Sequence, residues 1–102
     1  MEEKELITRL QQGDESAFEA LVVKYQNYIF RLALSVLRDE EDAKEMTQEV
    51  FIKIYTSIRG FNNRSALSTW IYRITYNLCI DHLKKHQKKK FQCCLKQFKT
   101  LD

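Results

Sequence analysis

Apolar residues recur at the three-four spacing of amphipathic helices along most of this chain, and the breaks between the runs divide it into four segments. Leu6, Ile7 and Leu10 share one face of a short helix over about residues 3–12, which Gly13 stops. In the stretch DESAF, Asp14 or Ser16 supplies the N-cap of a long second helix that runs to about Leu37. Its core face is Phe18, Leu21, Val22, Tyr25, Ile29, Leu32, Ala33 and Val36. Asp39 caps a third helix of about residues 40–57, with Glu40, Glu41 and Asp42 in the first turn, where the helix dipole favours acids. Here Ala43, Met46, Val50 and Ile54 form an inward stripe, while Glu45, Gln48, Glu49 and Ile52 cluster on the opposite side.

A polar loop, RGFNNRSAL, covers residues 59–67. Ser68 is placed to cap a fourth helix, with Leu67 stapling onto Tyr72. Ile71, Ile74, Leu78 and Cys79 face inward, whereas Trp70, Arg73, Asn77, Asp81 and Lys84 follow one another at steps of three or four on the other side. The helix leads into KKHQKKK, and the final stretch, FQCCLKQFKTLD, carries no periodicity. The pattern predicts an all-α fold, a compact bundle of about four helices: a short N-terminal helix, two long antiparallel helices, a loop and a last helix. No internal repeat is present.

Length and composition agree with that reading. A chain of 102 residues, 44% hydrophobic, suits one domain. Proline is absent and glycine occurs only at Gly13 and Gly60, which fits helices joined by short links. No apolar run reaches the roughly 20 residues that cross a membrane. The N-terminal MEEKELITRL is acidic where a secretion signal is basic, so a cytoplasmic protein is expected. Three cysteines, two of them adjacent (Cys93 and Cys94), argue against a disulfide framework. The net charge of +3 is unevenly spread: residues 1–58 sum to −5 and residues 59–102 to +8. An acidic half followed by a basic half implies two partners of opposite charge, or one composite partner.

Enzyme chemistry is not indicated. The chain has no Gly-rich phosphate loop, nucleophile elbow or metalloprotease helix signature, and its carboxylates lie on solvated helix faces. Cys79, His82 and His86 share a helix face, with Cys93 further on, but three ligands within two turns of one helix rarely converge tetrahedrally on zinc and no CxxC knuckle pairs with them, so no metal or other cofactor is expected. Nucleic acid fits better. Lys84, Lys85, Lys88, Lys89 and Lys90 supply charge for backbone phosphates. Phe61 offers a stacking surface, and Asn62, Asn63 and Asn77 offer amides for exposed base edges, a combination suited to single strands or a flipped base. The plainer alternative puts Phe61 in the core, Trp70 between helices and the lysines in water; Trp70 fits either role.

At this point the sequence becomes recognisable. ESAFEALVVKYQNYIFRLALSVLRDEEDAKEMTQEVFIKIY, followed by FNNRSALSTWIYRITYNLCIDHLKK, closely resembles region 2 of bacterial extracytoplasmic-function (ECF) sigma factors of the sigma-70 family, over about Gly13 to Lys90. DAKEMTQEVFIKIY is similar to the family's core-binding signature and STWIYRITYNLCIDHLKK to its promoter-reading helix. The resemblance implies that Glu45, Gln48 and Glu49, with Asp42 and Ile52 beside them, dock on the clamp helices of the RNA polymerase β′ subunit. It implies that Phe61, Asn62, Asn63, Arg64, Ser65, Leu67, Ser68 and Asn77 capture a base flipped from the non-template strand of the −10 promoter element. Trp70 and Arg73 match positions near the duplex–single-strand junction, although Trp70 equally suits bracing the loop from behind. An anti-sigma protein is an implied partner, a monomer is expected in the absence of partners, and the polymerase performs the chemistry.

The stretch after Lys90 is not expected to form the family's second helical domain, which reads the −35 element. Residues 1–90 are therefore expected to form a region 2 domain, with 91–102 a tail or the start of a linker. Two rival readings remain. One is an interaction module that binds polymerase or an anti-sigma factor without engaging DNA. The other, a duplex-binding helix-turn-helix, is disfavoured by the nine-residue connection at 59–67, where that motif uses three or four.

Overall fold

The first helix, α1 (Glu3–Gln11), buries Leu6, Ile7 and Leu10 and ends where the pattern requires. Gly13 adopts φ +82°, and two bonds close the helix: Gly13 N–H to the Leu10 carbonyl and Asp14 N–H to that of Arg9. This is a Schellman ending, which needs a residue that tolerates the left-handed conformation. Asp14, the alternative realised over Ser16, then caps α2 (Glu15–Leu37) by accepting from the backbone N–H groups of Ser16 and Ala17. The structure is a computed structural model describing residues 2–100, with side chains described through residue 85.

Helix α2 ends on Arg38 in the left-handed region (φ 56°), and Asp39 immediately caps α3 (Glu40–Ser57) by accepting from the Asp42 N–H. So tight a link makes the two helices antiparallel neighbours. Their contacts agree: Phe18, near the start of α2, meets Tyr55, near the end of α3, at 5.3 Å between ring centroids. At the opposite end Ala33 and Leu37 pack with Ala43 and Met46.

A single turn of 3₁₀ helix, η1 (Ile58–Gly60), and an irregular segment lead into α4 (Leu67–Thr100). This last helix runs alongside α2 in the same direction. Ile71 joins the cluster that contains Leu21 and Ile54, and Cys79 joins the one at the Leu37 end. The fold is the expected four-helix, all-α bundle. Leu21, Ile29, Ile54 and Ile71 are completely buried, each worth roughly 1.5–3 kcal/mol of transfer free energy.

Three details differ from the expectations. Helix α4 begins at Leu67, so Ser68 sits inside its first turn and does not cap it; the Trp70 N–H bonds to the Ala66 carbonyl. Leu67 does not staple onto Tyr72: it is 0% exposed in the main core, whereas Tyr72 is exposed and stacked on Tyr76. Burial of Leu67 fixes where the helix starts, and this outweighs the capping preference of serine. The interior also takes Ala17, Leu37, Thr47, Phe51 and Thr75, which the apolar stripes omit. The two threonines are accommodated because each hydroxyl donates to the carbonyl four residues back, Ala43 and Ile71 respectively.

Candidate functional site

Two surfaces stand out, at different places on the bundle. The first is the segment between η1 and α4, pinned at both ends by buried apolar residues. Phe61 is 7% exposed and Leu67 fully buried. Between them the chain is polar and turned outward: Asn62, Asn63 and Arg64 are exposed and Ser65 is half-buried. The Asn62 side-chain oxygen accepts the Arg64 N–H at 3.3 Å, and Asn63 takes φ 60°, a conformation asparagine adopts more readily than most residues. An Asx turn over residues 62–64 with a left-handed central residue gives this short loop a defined shape.

The buried position of Phe61 corrects one expectation. Its ring lies in the core, 5.1 Å from that of Trp70 and tilted 47° to it, so it is not a free stacking surface for a base. Leu67 is likewise a core anchor with no surface to offer DNA. Trp70 is half-buried against the same cluster and packs on Phe61, a placement compatible with bracing the loop from behind. Asn62 has its side-chain oxygen engaged by the loop's own backbone and its NH₂ group still outward, beside the exposed Asn63 and Arg64.

Helix α4 extends this surface. Ser68, Arg73, Asn77 and Lys84 are all exposed. Arg73 and Asn77 are neighbours at i, i+4, and Lys84 falls on the same stripe seven residues further on. Lys85 is also exposed but turned about 100° away by the helical pitch. The side chains of His86, Lys88, Lys89, Lys90 and Cys93 lie outside the described residues. Among the described residues, no group of three or more histidines, cysteines or acids is placed to hold a metal ion. Cys79 is buried between helices, and this burial pushes its thiol pKa up.

The second surface is the outer side of α3. Glu45, Gln48, Glu49 and Ile52 are exposed together, as the spacing predicted, with Ile52 at 58%. Asp42 departs from the group. It is half-buried and turned towards α4, its Oδ2 3.7 Å from Nε2 of His82. The helical drift across the face explains this, since a position one turn earlier lies closer to the Met46 side.

Sequence reasoning missed part of this surface. Tyr55 is 57% exposed and, with Phe18, Phe51, Ile52 and Gln48, lines an apolar hollow. Beside it a groove of about 510 Å³ runs between α2 and α3, lined by Val22, Gln26, Phe30, Lys44 and Thr47 among others. The signal for Tyr55 was present, because Gln48, Ile52 and Tyr55 continue one stripe. The spacing of Phe18 fits α2's inner face and by itself gives no sign of this second, outward contact.

Residues 21–89 match the family described as Sigma-70 region 2. The chain is 40% identical over 82 residues to the RNA polymerase sigma-H factor of Pseudomonas aeruginosa, covering 80% of this chain and 42% of that protein. It is 37% identical over 82 residues to the ECF RNA polymerase sigma factor SigW of Bacillus subtilis, covering 80% and 44%. It is 44% identical over 78 residues to the ECF RNA polymerase sigma-E factor of Haemophilus influenzae, covering 76% and 41%. The chain thus spans less than half the length of these curated relatives. A solved NMR structure of an engineered region 2 of sigmaE, in complex with GTAAAA, superposes with a TM-score of 0.80 at 32% identity, covering 87% of this chain and 93% of that one.

Proposed function

The chain belongs to the Sigma-70 region 2 family, and from that premise we propose that it binds core RNA polymerase through α3 and captures an exposed strand of the −10 promoter element with the loop at 62–66 and the outer face of α4. The observation that carries the reading is the loop itself. Two buried anchors hold a polar tip with Asn63 and Arg64 outward, beside the exposed Arg73 and Asn77. The similar sigmaE region 2 was solved with the oligonucleotide GTAAAA, which supports a single strand as the ligand here.

The energetics of capture are modest. Unstacking one base costs a few kcal/mol. With Phe61 buried, the return comes from the base edge and the strand backbone. Asn63 and Asn77 offer both donors and acceptors, and the planar guanidiniums of Arg64 and Arg73 offer charge-assisted bonds and a face to stack on. Lys84 and Lys85 add phosphate contacts that strengthen binding without choosing sequence. On this reading the protein stabilises an opened state, and the polymerase performs the chemistry.

On the other side, Glu45, Gln48, Glu49 and Ile52, joined by Tyr55 and the hollow beside Phe18, present acids around an apolar spot. That chemistry complements a basic, partly apolar helical partner, as the β′ clamp helices would be. Asp42 lies at the margin of this surface. An anti-sigma protein covering either surface would silence it, and the cytoplasm is where such a protein would act. Among the described residues, no helix is long and apolar enough to cross a membrane.

The test is anisotropy binding of the chain to a randomised panel of labelled single strands and matched duplexes, across salt. The expected result is preference for particular single strands and loss of that preference, about tenfold in affinity, in Asn77→Ala. Sequence-blind binding that is equal on duplex and unchanged in Asn77→Ala would favour the rival, an interaction module that meets polymerase through the α3 surface alone.

A further inference from the structure

A polar contact joins the base-capturing loop to a helix that carries neither proposed binding surface. Gln11, the last residue of α1, lies against η1, and its side-chain amide donates to two backbone carbonyls, those of Ile58 at 3.1 Å and Phe61 at 2.8 Å. The residue is half-buried, and its partners are 47 and 50 positions away in sequence. Both partners are acceptors, so the NH₂ group must face them, and its two hydrogens match two carbonyls.

The positions of those carbonyls give the contact its meaning. Ile58 O already accepts the Phe61 N–H at 3.1 Å, closing the 3₁₀ turn that delivers the chain to the loop. Phe61 O is the last backbone group before the exposed Asn62. The ring of Phe61 is the loop's buried anchor against Trp70. The Gln11 amide therefore fixes the backbone of the residue whose side chain fixes the loop, and Asn62 and Asn63 set the remaining shape locally. The Schellman ending at Gly13 closes the helical turn that carries Gln11.

We propose that Gln11 is a positioning residue for base selection: its two hydrogen bonds hold the loop backbone in register with Asn77 on α4, so that the loop discriminates among bases. The proposal rests on the single-strand reading above. A merely structural Gln11 would instead affect the whole fold, and with it every activity, in proportion to lost stability.

Trp70 is the chain's single tryptophan and packs on Phe61, so its fluorescence reports the loop's packing directly. The experiment uses the full chain with Gln11→Met, which keeps length and apolar contact but has no donor, and Gln11→Glu, which keeps shape but cannot donate when ionised. Three quantities are measured: thermal stability, Trp70 emission, and affinity for the strand selected from a randomised hexanucleotide pool together with its single-base variants.

The expected result for both variants is cooperative unfolding, a red-shifted Trp70 emission, and a preferred-to-substituted affinity ratio reduced about tenfold, equivalent to about 1.4 kcal/mol. Binding of a synthetic β′ clamp-helix peptide through α3 should change by less than twofold. If wild type discriminates bases and both variants discriminate equally well, the inference is overturned while the single-strand reading stands. If strand and peptide binding fall together with stability, Gln11 is structural only and the inference is again overturned. If wild type itself shows no strand preference, the single-strand reading fails and this inference falls with it.

Discussion

Trp70 joins the last helix to the loop that precedes it through its contact with Phe61. Its helical position beside Arg73 and Asn77 marks an outward face, yet the ring is half-buried and meets Phe61 at 5.1 Å. Spacing along α4 reports direction, but not how far an adjoining loop folds back over the edge of that face. Phe61 is the clearer case: in sequence it opens a polar loop and looks available, whereas its ring fills the core. A Phe61→Ala substitution should therefore cost about 3–5 kcal/mol in chemical denaturation. Phe61→Leu should cost less and keep the strand preference. If Phe61→Ala left stability intact and abolished only DNA binding, the ring would be a stacking surface after all. Asn62 and Asn63 were legible as turn formers and as amides, but which of these uses each serves depends on the 3.3 Å bond from the Arg64 N–H, which no spacing predicts.

At the scale of elements, the sequence was most informative where local chemistry decides. The ends of α1, α2 and α3 agree with Gly13, Asp14 and Asp39 to within a residue. Each of these three positions is governed by backbone conformation or by a cap bond made within three residues. The start of α4 was misplaced because it is governed by the burial of Leu67, a tertiary effect. The Asp14 cap has a pH consequence. The Ser16 hydroxyl and the Ala17 N–H, more than the nearby Arg9, hold its carboxyl below the ordinary value of 3.8. A carboxyl with a lowered folded pKa contributes stability that is present above 3.8 and lost as pH falls through its depressed value. Asp14→Asn, which retains a capping oxygen but does not titrate, should flatten that part of the acid limb of a stability-against-pH curve. An unchanged limb would place the acid sensitivity elsewhere. Asp39→Ala, which removes the bond to the Asp42 N–H, should cost about 1 kcal/mol at neutral pH.

For the whole molecule, the division of charge along the sequence becomes a division of surfaces. The acidic half supplies the outer face of α3, and the basic half supplies the loop and α4. The charge division pointed to two partners of opposite charge or one composite partner, but not to the apolar hollow that Tyr55 and Phe18 add to the acidic surface, since that required α2 and α3 to be set side by side. Two surfaces on separate elements should be separable by mutation. Reversing charge with Glu45→Lys and Glu49→Lys removes attraction to a basic helical partner and creates repulsion in its place. In pull-down and anisotropy assays these variants should lose polymerase binding by tenfold or more. Single-strand binding should hold or tighten slightly at low salt, because the added lysines lie on another face and act only through the screened field of the molecule. Lys84→Ala should do the reverse, leaving polymerase binding unchanged and lowering the salt slope of strand binding by about 0.7, the share of one phosphate contact on a single strand. Were the α3 reversals to abolish strand binding as well, the two surfaces would be coupled, and the bundle could not be treated as a rigid frame carrying independent sites.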